Sequence, residues 1–191
     1  MHALTQTPKR LPGKEGVWFF IAADMTFFSL FFLSYMHERS LQIDLFTQSQ
    51  QTLNFNFGGI NTLILLTSSW FVVQAVRAAK ADRLDAIARN ILFALASATA
   101  FATLKIVEYI GKYQAGIGIT SNDFFSFYFF LTGVHFFHVI GGSVVLLTLW
   151  KNARNGAYSS TQMTGLESGA TYWHMVDLLW IVIFPLLYLM K

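Results

Sequence analysis

Asp24, His135, His138, His174 and Asp177 are the side chains with chemistry to offer, because each interrupts a stretch that is otherwise apolar. His135 and His138 lie three residues apart, which puts them on one helix face. Residues 124–150 around them contain no Asp, Glu, Lys or Arg. His174 and Asp177 repeat the spacing. Three imidazoles and two carboxylates form a donor set that suits zinc, iron or manganese, and two facing histidines could hold a haem. The same groups could relay protons. Against these stands a structural reading, in which each imidazole is tied to a carboxylate or a carbonyl and fixes helix packing, since intramembrane polar groups need partners. Both motifs are short, and the structural reading is preferred to a proton- or lipid-handling role, and that role to a metal site.

A second set of candidates lies nearer the ends of the apolar runs. Lys105 and Glu108 have i,i+3 spacing and can neutralise each other. Alternatively, Glu108 or Lys105 faces a cleft and touches a lipid headgroup or a partner subunit, and Tyr109 beside them is a further candidate for such contact. Trp173 reads as an interface anchor, and Arg77 and Lys151 as candidates for phosphate contact. Ser68 and Ser69 have no base near them in the chain, and neither a phosphate-cradling glycine loop nor a nucleophile–base pair is visible. The absence of cysteine excludes disulfides, thiolate metal sites, iron–sulfur clusters and cysteine nucleophiles.

These residues are positioned by an integral membrane, all-α architecture. Of 191 residues, 54% are hydrophobic and 12% charged, about half the charged fraction of a soluble domain. A net charge of +3 implies no nucleic-acid surface. Five apolar runs, at about 16–36, 58–76, 91–110, 124–150 and 170–190, are each long enough to cross a ~30 Å hydrocarbon core. Residues 1–15 read as a short polar tail, with no cleavable signal peptide, and residues 42–56 as the first long loop. Gly133, Gly141, Gly142 and Ser143 are small enough to let a neighbouring helix approach closely.

Basic residues set the expected orientation. Lys9, Arg10, Lys14, Arg77, Lys80, Arg83, Arg89, Lys151 and Arg154 fall on one side, against Arg39, Lys112 and Lys191 on the other. That bias predicts an N-terminus inside and a C-terminus outside. Asp24, His174 and Asp177 then lie roughly 6–12 Å from the inner face, and the imidazoles and carboxylates are expected to converge in the inner half of one bundle.

The order of motifs carries a resemblance. GVWFFIAADMTFF (16–28), NTLILLTSS (61–69), the pair Glu108–Tyr109, FFLTGVHFFHVIGG (129–142) and YWHMVDLLW (172–180) resemble subunit III of the haem–copper oxidases, the cytochrome c oxidase subunit III family. The signatures TGxHxxHVxxG and YWHxVDxxW are specific, and the match covers all five spans. The chain resembles a short form that lacks the first two of seven spans. Asp24 stands where many members have Glu, and the resemblance leans toward the nitric oxide reductase-associated E-type branch.

The resemblance implies a non-redox accessory subunit of the bacterial cytoplasmic membrane. Such a subunit packs beside a catalytic partner that carries haem, with copper or non-haem iron, and itself carries none. It implies phospholipid held in a cleft, here expected between the first two spans and the last three, and support for assembly, stability and proton uptake. A stand-alone proton or solute transporter and a metal-dependent membrane enzyme using the His/Asp cluster are the alternative classes.

Overall fold

A computed structural model describes residues 11–190. Lys9, Arg10 and Lys191, used above for orientation, lie outside the described residues. The described residues fold into six helices: α1 (Glu15–Leu41), α2 (Ile43–Gln51), α3 (Phe55–Lys80), α4 (Leu84–Gln114), α5 (Asp123–Arg154) and α6 (Thr164–Phe184). A π-helical turn, Pro185–Leu189, extends α6. All except α2 are long and apolar enough to cross a membrane.

The five spans match the expected architecture, but the helices outrun their apolar runs. Arg77 and Lys80 belong to the last turn of α3, Asp85 to the first turn of α4, and Lys151 and Arg154 to the last turn of α5. Helical backbone persists wherever side chains can reach water, so hydropathy underestimates length. Residues 42–56, expected to form a loop, include α2, a nine-residue helix that buries Phe46, Ser49 and Gln50. Its three glutamines and Ser49 hide an amphipathic pattern in which Phe46 faces Tyr35 and Phe124, with ring centroids at 5.4 and 5.7 Å. Asn122 caps α5, its side chain accepting the Phe125 N–H at 2.9 Å.

Helices α3 to α6 close into a ring: α3 packs on α4, α4 on α5, α5 on α6, and α6 back on α3. α6 is the most enclosed, burying Trp173, Met175, Val176, Leu179, Trp180 and Ile183 among others. α1 lies outside the ring against α5 and α6, and of its 27 residues only Phe28, Tyr35 and Arg39 are buried. Its anchors are few: the Tyr35 hydroxyl donates to Leu186 O at 3.2 Å, and the Gly13 N–H donates to Glu167 Oε2 at 3.2 Å.

One end of the ring gathers Arg77, Lys80, Arg83, Arg89, Lys151 and Arg154. It is cross-tied by the Asp82 carboxylate, which accepts the Ser160 N–H at 2.7 Å. That bond holds the Asp82 carboxyl below its usual range.

Close helix approach uses one of the expected small residues. A Cβ on Gly142 would come within 2.6 Å of the Trp173 ring, whereas one on Gly133 would meet nothing within 4 Å. Matched alanine substitutions test this. Gly133→Ala is expected to stabilise slightly, by up to about 1 kcal/mol of helix propensity. Gly142→Ala is expected to lose about 1–3 kcal/mol, because Trp173 is fully buried and must shift. Equal melting temperatures for the two variants in detergent would contradict the packing.

Candidate functional site

The polar side chains of the spans do not form one cluster. Among the described residues they include three separate centres, each tied by different helices.

The largest centre surrounds Lys105, whose side chain is fully buried. Its Nζ donates to Glu108 Oε2 at 2.9 Å, Tyr128 Oη at 3.2 Å and Tyr188 Oη at 3.1 Å. The Tyr188 hydroxyl donates to Glu108 Oε1 at 2.6 Å, closing the network. The Tyr128 and Trp180 rings lie 4.8 and 5.3 Å from the ammonium, within cation–π range. Three N–H donors, two carboxylate oxygens and two phenols are thereby used within one cage supplied by α4, α5 and the π-helical turn. Glu108 is 8% exposed, and the Tyr109 hydroxyl donates to Thr132 Oγ1 at 2.8 Å. Both were candidates for lipid or partner contact; Glu108 is instead buried in the cage, and the Tyr109 hydroxyl is engaged inside the bundle.

The second centre joins α1 to α5. His138 Nε2 lies 3.0 Å from Asp24 Oδ2, with both side chains largely covered. His138 Nδ1 lies 2.8 Å from Val134 O. A carbonyl only accepts, so Nδ1 carries a proton. Nε2 of the neutral ring is then an acceptor, and attraction to Asp24 requires a proton between the two groups. Phe28 presents its edge to the imidazole, with centroids 5.6 Å apart.

The third centre lies between α3 and α6. Ser69 Oγ is 2.7 Å from His174 Nδ1, and Asp177 Oδ2 is 3.8 Å from the same nitrogen. Ser69 therefore does have a base beside it, 105 positions away in the chain, where local reading could not find it. A nucleophile–base–acid relay needs the acid and the hydroxyl on opposite ring nitrogens. Here both face Nδ1, so hydrolase chemistry does not follow.

His135 belongs to none of these centres. It lies against Trp180 with ring centroids 5.2 Å apart and planes tilted by 31°, and meets Phe101 edge-on at 5.8 Å. Neither ring nitrogen has a hydrogen-bond partner among the described residues.

The expected convergence of His135, His138, His174, Asp24 and Asp177 is corrected accordingly. His135 and His138 share a face but point about 60° apart on the helical wheel, which directs one to α4 and α6 and the other to α1. Among the described residues no three His, Asp or Glu side chains are grouped as metal ligands would be. The depth expectation also changes, because α6 starts at Thr164 and not near residue 170. His174 and Asp177 lie roughly 15 and 20 Å along their helix, near its middle.

Trp173, expected as an interface anchor, is instead fully buried, and its indole N–H donates to Ser68 Oγ at 3.1 Å. Arg77 and Lys151 are exposed at the basic end. The cleft expected between the first two spans and the last three is absent in that form, since α1 packs on α5 and α6 while α3 belongs to the ring. Of the open grooves among the described residues, two reach toward the basic end. One of about 400 Å³ runs between α1, α5 and α6 past Val17, Phe20, Val145 and Tyr172. The other, of about 570 Å³, lies between α4 and α5 at the basic end.

A family model described as cytochrome c oxidase subunit III matches residues 9–191. The chain is 31% identical to cytochrome c oxidase subunit 3 of Synechocystis sp., over 92% of this chain and 74% of the relative. Against the subunit 3 of Alkalihalophilus pseudofirmus the identity is 30%, over 98% and 93% of the two chains. A protein of Aeropyrum pernix named heme-copper oxidase subunit I+III is 28% identical over 92% of this chain, which spans 22% of that longer polypeptide.

Proposed function

We propose, from the premise that this chain belongs to the cytochrome c oxidase subunit III family, that it is a non-redox accessory subunit of a haem-bearing respiratory complex. In that role it binds phospholipid and supports the assembly, lifetime and proton uptake of the catalytic subunit. The chain is a multi-pass membrane protein, and the bacterial cytoplasmic membrane is its proposed location, with the basic end of the bundle inside.

The observation that carries the reading is how the intramembrane polar groups are used. Asp24 faces His138 across two helices, and Lys105 is saturated by Glu108, Tyr128 and Tyr188. These groups join one helix to another inside the chain instead of lining an open cavity, as a scaffold requires and a transport path does not. The Aeropyrum relative, whose name joins subunits I and III in one polypeptide, supports a catalytic subunit I as the neighbour.

Affinity isolation of this chain from gently solubilised membranes tests the proposal. A haem-bearing membrane polypeptide is expected to co-isolate, and its haem and metal content distinguishes an oxidase from a nitric oxide reductase-type partner. After dissociation, the Soret absorbance is expected to remain with that partner. Isolation of this chain alone, or haem retained by it, would overturn the reading.

A further inference from the structure

The groove between α4 and α5 combines charges that the three polar centres leave unused. Asp85 and Arg89 sit one turn apart on α4, with Leu92 a further turn in, and Trp150, Ala153 and Arg154 face them from α5. Asp85 and Arg89 have the spacing of a helix ion pair, yet neither they nor Arg154 is within ion-pairing distance of an opposite charge among the described residues. All three are exposed. The groove therefore presents two guanidinium groups and one carboxylate at its mouth, and an apolar floor further into the bundle.

We infer that this groove binds a phospholipid whose headgroup carries both a phosphodiester and a primary ammonium, that is, a phosphatidylethanolamine. This deepens the lipid-binding part of the proposed function and rests on it. Three features select the headgroup. Guanidinium is the side chain best matched to phosphate oxygens, and two of them line one groove. Asp85 is about 6 Å closer to the end of α4 than Arg89, which places an acceptor for an ammonium on the water side of the phosphate site. That is the order in which a lipid presents these groups, and one turn matches a two-carbon link between them.

The third feature disfavours competitors. A quaternary ammonium would seek an aromatic face, but the Trp150 ring is already occupied by Arg154, whose Cζ lies 5.2 Å from its centroid. It also cannot donate a hydrogen bond to Asp85. An anionic glycerol headgroup offers Asp85 no cation, so the carboxylate opposes the charge it would bring. Leu92, 45% exposed, continues the groove toward the acyl region.

The test uses the full chain in detergent, stripped of lipid. It is titrated with phosphatidylethanolamine, phosphatidylglycerol or phosphatidylcholine of identical acyl chains and read by native mass spectrometry. Tail-brominated versions, which quench Trp150, localise the bound lipid, with Trp150→Phe as the control. Ethanolamine lipid is expected to bind several-fold more tightly than the other two. Asp85→Asn is expected to abolish the preference over phosphatidylglycerol, and Arg89→Gln or Arg154→Gln to weaken phospholipid binding on the order of tenfold. The preference ratio is measured within each variant, so it does not depend on how much protein folds. A wild-type preference for phosphatidylglycerol or phosphatidylcholine, or an unchanged ratio in Asp85→Asn, overturns the assignment. Quenching that is undiminished in Trp150→Phe places the lipid elsewhere and also overturns it. Because co-isolation of the haem-bearing partner is scored separately, its success alongside failed lipid selectivity would sink this inference alone.

Discussion

Glu108→Leu is expected to destabilise the bundle by about 3–5 kcal/mol, because it strands a charged group in the interior. Lys105 has no exposed surface, and among the described residues Glu108 supplies the one opposite charge within ion-pairing distance of it. The phenols of Tyr128 and Tyr188 can accept from the ammonium but cannot neutralise it. Removing both members of the pair should cost far less, since well-packed apolar replacements of buried ion pairs are often neutral or better. The double variant Lys105→Met/Glu108→Leu is therefore expected to recover at least half of the loss. Thermal unfolding of wild type, both single variants and the double variant, all in one detergent, gives the coupling energy. If Glu108→Leu melts like wild type, or if the two single losses simply add, the cage does not hold a charge pair.

The second large effect concerns attachment of α1. Asp24→Asn retains a group that can donate to His138 Nε2, the acceptor that remains when Nδ1 bonds Val134 O. It should be mild. Asp24→Leu leaves that nitrogen without a partner at a cost of about 1–3 kcal/mol. α1 has only three buried residues to set against that loss. The expected phenotype of Asp24→Leu is a complex that loses this chain on purification, while the catalytic partner retains its intrinsic turnover. A proton-relay role predicts a different pattern, in which Asn is as harmful as Leu and the defect appears as slow turnover in a fully assembled complex. Measuring subunit retention and turnover in the same preparations separates the two.

The parts of this molecule that were legible from sequence are those governed by composition over many residues. Five spans follow from apolar runs. What was not legible depends on helix rotation, which an apolar run all round the helix leaves undetermined. Trp173 illustrates the difficulty. Its neighbours on both sides are apolar or amphipathic, and only the packing of α6 against Gly142 and Ser68 shows that the indole points inward. The histidines illustrate it differently: a spacing of three places two rings on one face but does not assign them the same neighbour. The Lys105–Glu108 pair could be read from its spacing, yet the phenols that complete the cage come from α5 and the π-helical turn. The serines of α3 separate in the same way, Thr67 bonding back to Leu63 O while Ser68 crosses to Ala94 O and Ser69 to His174.

The thin attachment of α1 has a consequence for biogenesis. In the two-stage picture of membrane folding, helices insert singly and associate afterwards. α1 precedes the other described helices in the chain, but apart from its contact with α2 it packs against α5 and α6, the last of them to emerge. Asp24 and its partner His138 are separated by roughly a hundred residues of chain, which at ~5–20 residues per second takes on the order of ten seconds to synthesise. For that interval the carboxyl sits about nine residues into α1, too deep for so short a side chain to reach the headgroups, with no counterpart from its own chain. Waiting of this kind makes the early helix a client for whatever shelters polar groups in the bilayer, whether an insertase or an already folded neighbour, until the fifth helix arrives to claim it.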